Sequence, residues 1–220
     1  MSVPILKTRL DRREFLAGVM GLAAGGRVSA QTRTFDTVVV LIGPPGSGKS
    51  TQADRLARRY GCGQVSLSSM VKETYGKKVK KKDPLAGAIE SGDLLTDAEA
   101  NNLLRQRLVR GDLFPGFILD GYPRTAGQVD FLNTLLKDLR YKPAQVVDLS
   151  IPDELARQRL KRRGRADDDP ATIDRRLAAY KADQDLLRSR YEGSSQYFRI
   201  DASGSENDVF NAIRTALKLP

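Results

Sequence analysis

The residues able to do chemistry in this chain are lysine, arginine and carboxylates. Its 220 residues include no histidine and one cysteine. Without imidazole there is no Ser-His or Cys-His dyad, and the commonest general base is missing. The lone thiol, Cys62, rules out an intrachain disulfide and a Cys-rich zinc site, and between Gly61 and Gly63 it reads as structural or incidental. Phosphoryl transfer is the reaction class that asks for positioned cations rather than a strong base. Lys and Arg total 37 against 27 Asp and Glu, a formal charge of +10, which favours anionic partners.

The sharpest local pattern is Gly43-Pro44-Pro45-Gly46-Ser47-Gly48-Lys49-Ser50, which fits G-x-x-x-x-G-K-[ST] in full. Glycines let the backbone curl so that its N–H groups point at phosphate oxygens. The helix that follows adds positive potential at its N-terminus. Lys49 is expected to pair with β- and γ-phosphates, and Ser50 to ligate Mg²⁺. A second pattern runs from Phe117 to Gln128: an apolar strand, then Asp120-Gly121-Tyr122-Pro123-Arg124, then Gln128 four residues after the arginine. Asp120, ending a buried strand beside the phosphate loop, can hold Mg²⁺ through water. Gly121 lets a ligand approach the backbone. Arg124 offers a bidentate fork for a phosphate, and Gln128 can hydrogen-bond a base edge.

This second segment resembles the signature of the adenylate kinase family of nucleoside monophosphate kinases across all twelve positions. The resemblance runs from about Thr37 to the C-terminus. It implies a P-loop α/β fold with a five-stranded parallel sheet flanked by helices. It further implies a monophosphate-binding insert at about 66–95 and a short lid at about 163–173. The implied activity is transfer of the γ-phosphoryl of ATP to AMP, giving two ADP, with Mg²⁺ and without zinc. Residues 43–51, through Thr51, would then hold ATP together with Arg159 and Arg163. Leu67, Lys72, Leu94, Leu95, Gly121, Arg124, Gln128, Arg165 and Arg176 would face the acceptor. Lys49, Arg124, Arg159, Arg165 and Arg176 would neutralise the transferring group. At Leu67 the family usually has Thr, and at Lys72 it has Arg. Leu lacks the hydroxyl, and Lys keeps the charge but loses the planar fork.

The elements that must position these residues alternate in the α/β manner. Val38–Ile42 is a short β-branched run that reads as a buried strand. Gln64–Leu67, Phe117–Leu119, Gln145–Ile151 and Tyr197–Ile200 are further strand candidates. Helices are expected at about Lys49–Tyr60, after the Thr96/Glu99 capping box, from Pro152 to Gly164, from Pro170 to about Arg190, and after a box at Ser203/Glu206. Arg159 and Arg163 lie four apart and so share a helix face.

Residues 1–35 differ from the rest. Asp11-Arg12-Arg13-Glu14-Phe15-Leu16 resembles a twin-arginine export motif, followed by a weakly apolar stretch and small residues suited to cleavage after Ala30. The stretch is too short for a stable membrane span. The competing readings are a basic tail or a start set too far upstream, so both a cytoplasmic and an exported location stay open. The kinase domain is then 36–220, expected to act as a monomer. Kinases for CMP or UMP share most of these motifs. A nucleotide-binding module without turnover is the rival of another class. Five lysines within Lys77–Lys82 could touch nucleic acid, but no aromatic platform accompanies them.

Overall fold

The computed structural model describes residues 35–75, 95–164 and 168–220. The possible leader, most of the monophosphate-binding insert, Leu94, the Lys77–Lys82 run and Arg165 lie outside the described residues. The described part falls within one compact unit, Thr34–Pro220.

Five strands form one sheet: β1 (Val38–Ile42), β2 (Gly63–Ser66), β3 (Phe117–Asp120), β4 (Gln145–Ser150) and β5 (Tyr197–Asp201). Their order is β2-β3-β1-β4-β5 and every pairing is parallel. Among the described residues seven helices connect and cover them: α1 (Lys49–Tyr60), α2 (Leu67–Tyr75), α3 (Asp97–Leu108), α4 (Ala126–Asp138), α5 (Asp153–Arg163), α6 (Pro170–Ser189) and α7 (Glu206–Ala216).

Strand β1 shows why its sequence is apolar throughout. Side chains alternate across a strand, so a sheet with both faces covered buries every position. Val38, Val40 and Ile42 enter a core with Leu104, Leu119, Leu132 and Val146. Val39 and Leu41 enter the opposite core with Ala53, Leu56, Ile118, Val209 and Ile213. A third, small cluster of Ala156, Leu160, Ile173 and Leu177 joins α5 to α6.

The boundaries follow local chemistry. Thr96 and Glu99 form a reciprocal capping box on α3, as expected. Asp169 caps α6, with Pro170 in its first turn. Two expectations shift. The box on α7 is Ser205 with Asp208, two residues beyond the Ser203/Glu206 reading, because Ser203 instead closes a turn with Asp201. Pro152 is the N-cap of α5 rather than its first helical residue.

Between β1 and the sheet edge at β5 lies a buried ion pair. Asp148 on β4 is fully buried and accepts from Arg188 Nε at 2.7 Å and from the Tyr197 hydroxyl at 2.7 Å. This pair ties α6 to the centre of the sheet. Removing one member leaves an uncompensated buried charge, which costs about 3–5 kcal/mol. Asp148→Ala is therefore expected to lower the urea midpoint sharply. Asp148→Leu combined with Arg188→Met and Tyr197→Phe should recover most of that loss, because an apolar cluster carries no desolvation penalty and leaves no hydroxyl unpaired.

Candidate nucleotide site

In an open parallel sheet, ligands bind beyond the carboxyl ends of the strands where the order reverses. Here that point is the end of β1, flanked by β3 and β4. The register sets Leu41 beside Asp120 and Ile42 beside Asp148. Loop 43–48 leaves β1 there, and its glycines carry the curl. Gly46 has φ 82° and Gly48 φ 92°. A Cβ on Gly43 would come within 2.4 Å of the Leu149 carbonyl, so the loop passes too close to β4 for any side chain. Ser47 N–H donates to the Pro44 carbonyl at 3.1 Å, closing the turn. The Ser47 hydroxyl is buried without a partner among the described residues, a group poised for a ligand oxygen.

Lys49 curls back over this loop. Its Nζ donates to the Gly43 carbonyl at 2.7 Å and to the Pro44 carbonyl at 2.8 Å. Burial lowers its ammonium to about 8; Asp120 and Asp148 oppose that shift, and Arg124 and Arg163 reinforce it. Charges from β3, β4, α5 and the loop after β3 thus act on one nitrogen. Ser50 Oγ donates to Asp120 Oδ2 at 2.6 Å, joining the first turn of α1 to the end of β3.

A cleft of about 480 Å³ opens over the loop, lined by Pro45–Gln52, by Arg159, Arg162 and Arg163 of α5, and by the strap entering α7. Arg159 does not stand free in it. Its guanidinium donates to the carbonyls of Ala202 at 2.8 Å and of Ser203 and Gly204 at 3.1 Å each. Gln52 Nε2 reaches the Glu206 carbonyl at 3.0 Å from the other side. The strap 202–206, Gln52 and Arg162 were not singled out from the sequence. The strap reads in the sequence only as a helix cap, and only the fold brings it to the loop.

Arg163 makes two bonds to Asp168, at 2.9 and 2.6 Å, and Arg176 lies 3.8 Å from the same carboxylate. Asp168 was not singled out either; the aspartate run 167–169 gave no sign which one turns inward. On the side expected to face the acceptor, Gly121 has φ 74°, and a Cβ there would meet Arg124 Nη2 at 3.9 Å. Arg124 Nε donates to the Gly121 carbonyl at 3.1 Å, and its backbone N–H to Gln128 Oε1 at 2.7 Å. Leu67, 2% exposed, packs into the core with Met70 and Val71, so its side chain turns away from solvent. Lys72 is exposed, and Leu95 is half-buried against the same core.

A phosphate loop and a strand-ending Asp-Gly-Tyr-Pro-Arg segment stand side by side on a five-stranded parallel sheet. The adenylate kinase family model matches residues 41–196. The chain belongs to the adenylate kinase family. It is 35% identical over 189 residues to the adenylate kinase of Micrococcus luteus, covering 82% of this chain and 90% of that protein. The adenylate kinase of Leptospira biflexa is 35% identical over 179 residues, covering 80% and 96%. That of Mycobacterium leprae is 36% identical over 172 residues, covering 78% and 94%.

In this adenylate kinase family member the Ser50–Asp120 pair suits Mg²⁺. A hydroxyl and a carboxylate are hard oxygen donors, and Mg²⁺ in phosphate sites takes few protein ligands, leaving the rest to phosphates and water. No cluster of three or more metal-ligating side chains occurs among the described residues. No helix among them is long and apolar enough to cross a membrane. Burial pushes the Cys62 thiol up to about 11, so it is no nucleophile near neutrality.

The lowered Lys49 value makes a signed prediction. The free protein holds Lys49 half neutral near pH 8, and bound phosphates would hold it charged. Binding of MgATP should then take up protons at pH 8 and fewer at pH 6.5. Calorimetry in two buffers of different ionisation enthalpy measures this. Equal uptake at both pH values would show that Lys49 is not the titrating group.

Proposed function

We propose that this chain transfers the γ-phosphoryl group of ATP directly to AMP, giving two ADP, in a reversible reaction. The observation that carries the reading is the convergence on Lys49. Lys49 is held on the phosphate loop, Ser50 beside it bonds Asp120, and the charges of Asp120, Arg124 and Arg163 act on its ammonium.

An acceptor phosphate oxygen attacks the γ-phosphorus, and the bond from that phosphorus to the β–γ bridging oxygen breaks in line. A monophosphate is already anionic, so no strong base is needed, which agrees with a chain lacking histidine. Lys49 exchanges two neutral carbonyl partners for charged phosphate oxygens, a stronger hydrogen bond for the same donor. Loop N–H groups hold the β-phosphate. Arg159 braces the strap beside the donor nucleotide. Arg163 and Arg176, both paired with Asp168, would face the equatorial oxygens, where charge builds most in the transition state. Arg124 holds the acceptor phosphate, and Arg165 joins these cations by the family pattern. Ser50 and, through water, Asp120 would hold Mg²⁺, which when bound offsets charge on the β- and γ-phosphates.

The test is turnover of the full chain with MgATP and AMP, CMP, UMP, GMP or dAMP in turn. ADP should form fastest with AMP, and Lys49→Ala should lower the rate by about 10³-fold or more. A faster rate with CMP or UMP moves the substrate assignment. ATP binding without turnover for any acceptor leaves the chain a nucleotide-binding module.

A further inference from the structure

One carboxylate next to the acceptor side is used by none of the steps above. Asp97, the first residue of α3, accepts from Thr125 Oγ1 at 2.7 Å with Oδ2 and from Gln128 Nε2 at 2.8 Å with Oδ1. Thr125 in turn caps α4. A Cβ on Gly127 would lie 3.1 Å from Asp97 Oδ2, so a small residue at 127 suits the close seating of the carboxylate. Gln128 is 4% exposed, and its Oε1 accepts the backbone N–H of Arg124 at 2.7 Å.

These partners leave the amide only one orientation. A carboxylate accepts and cannot donate; a backbone N–H donates and cannot accept. Turned end for end, the Gln128 amide would set oxygen against the Asp97 carboxylate and N–H against the Arg124 N–H. Both mismatches would fall on a buried amide in part-buried contacts, where an unmade hydrogen bond costs more than in water. After these two bonds the amide keeps one N–H on Nε2 and one lone pair on Oε1.

We propose that Asp97 is a positioning residue that, together with the Arg124 backbone N–H, fixes the polarity of the Gln128 amide and thereby makes the acceptor site read amino bases and reject oxo bases. The inference rests on the acceptor reading above. Adenine presents an acceptor at N1 beside a donor at its 6-amino group, and cytosine repeats that order at N3 and its 4-amino group. Hypoxanthine, guanine and uracil present the reverse: a ring N–H beside a carbonyl. An amide free to turn over accommodates either order. An amide locked by Asp97 matches one and sets like against like for the other.

AMP and IMP isolate this effect, because they share shape and phosphate and differ in that edge. The unmodified full chain should favour AMP over IMP in kcat/KM by about 10³-fold or more. Asp97→Asn keeps the shape but loses the acceptor-only character. It should shrink the AMP/IMP ratio by at least about 10-fold, through a higher KM for AMP with KM for ATP unchanged. Asp97→Ser, whose hydroxyl either donates or accepts, should shrink the ratio by a second route if the asparagine variant does not fold. Asn101→Ala removes a different tie between α3 and the same segment, the bond from the Tyr122 hydroxyl. It should lower the unfolding midpoint and leave the ratio in place. If Asp97→Asn slows both acceptors alike, or if Asn101→Ala moves the ratio as far, Asp97 is a structural tie and the inference is overturned. If the unmodified chain uses IMP as well as AMP, the inference falls while the kinase reading stands. Turnover of neither by the unmodified chain sinks the acceptor reading and this inference with it.

Discussion

Parallel pairing of β1 between β3 and β4 is the constraint from which the site follows. Parallel neighbours end at the same edge, so the phosphate loop, Asp120 and Asp148 arrive together with no further device. Burial of β1 on both faces holds that edge rigid to the register of single residues. A shift of one residue would turn every β1 side chain to the other core and move the loop off Asp120. The glycines then serve a rigid strand end: at Gly43 the approach to the Leu149 carbonyl leaves no room for a methyl group.

A strongly basic chain must also keep its site cations apart from one another before ligand arrives. It does so with internal partners. Lys49 holds two loop carbonyls, Arg159 three strap carbonyls, Arg124 the Gly121 carbonyl and Arg163 the Asp168 carboxylate. Nucleotide binding is therefore an exchange of partners. Neutral carbonyls are the weaker partners and yield to phosphate; the carboxylate is comparable in strength and can stay. The carbonyl partners of Lys49 are displaceable, whereas the Asp168 carboxylate holds Arg163 in place.

Much of this was legible in the sequence, because the signals are local. A phosphate loop is eight consecutive residues, a capping box is four, and a buried strand is an unbroken apolar run. All five strands and the P-loop helix appear close to where those signals put them. What the sequence left hidden depends on residues far apart in the chain. Gln52 meets Glu206 and Arg159 meets Ala202–Gly204 only because α1, α5 and α7 converge on one edge. Leu67 turns into the core because α2 starts directly after β2, so the chain changes direction at that residue. The choice of Ser205 over Ser203 as helix cap was decided by a competing bond from the Ser203 N–H to Asp201.

Asp168 bears on the entropy of the site. It joins the end of α5, through Arg163, to the start of α6, through Arg176, and its side chain is 1% exposed. The end of α5 and the start of α6 are thus fastened to one another, and Ile173 and Leu177 pack against Ala156 and Leu160 beneath them. Order at this corner is established when the protein folds, and little of it has to be created again in each catalytic cycle. The entropy of assembling the cationic corner therefore falls on the folding equilibrium and not on each binding event.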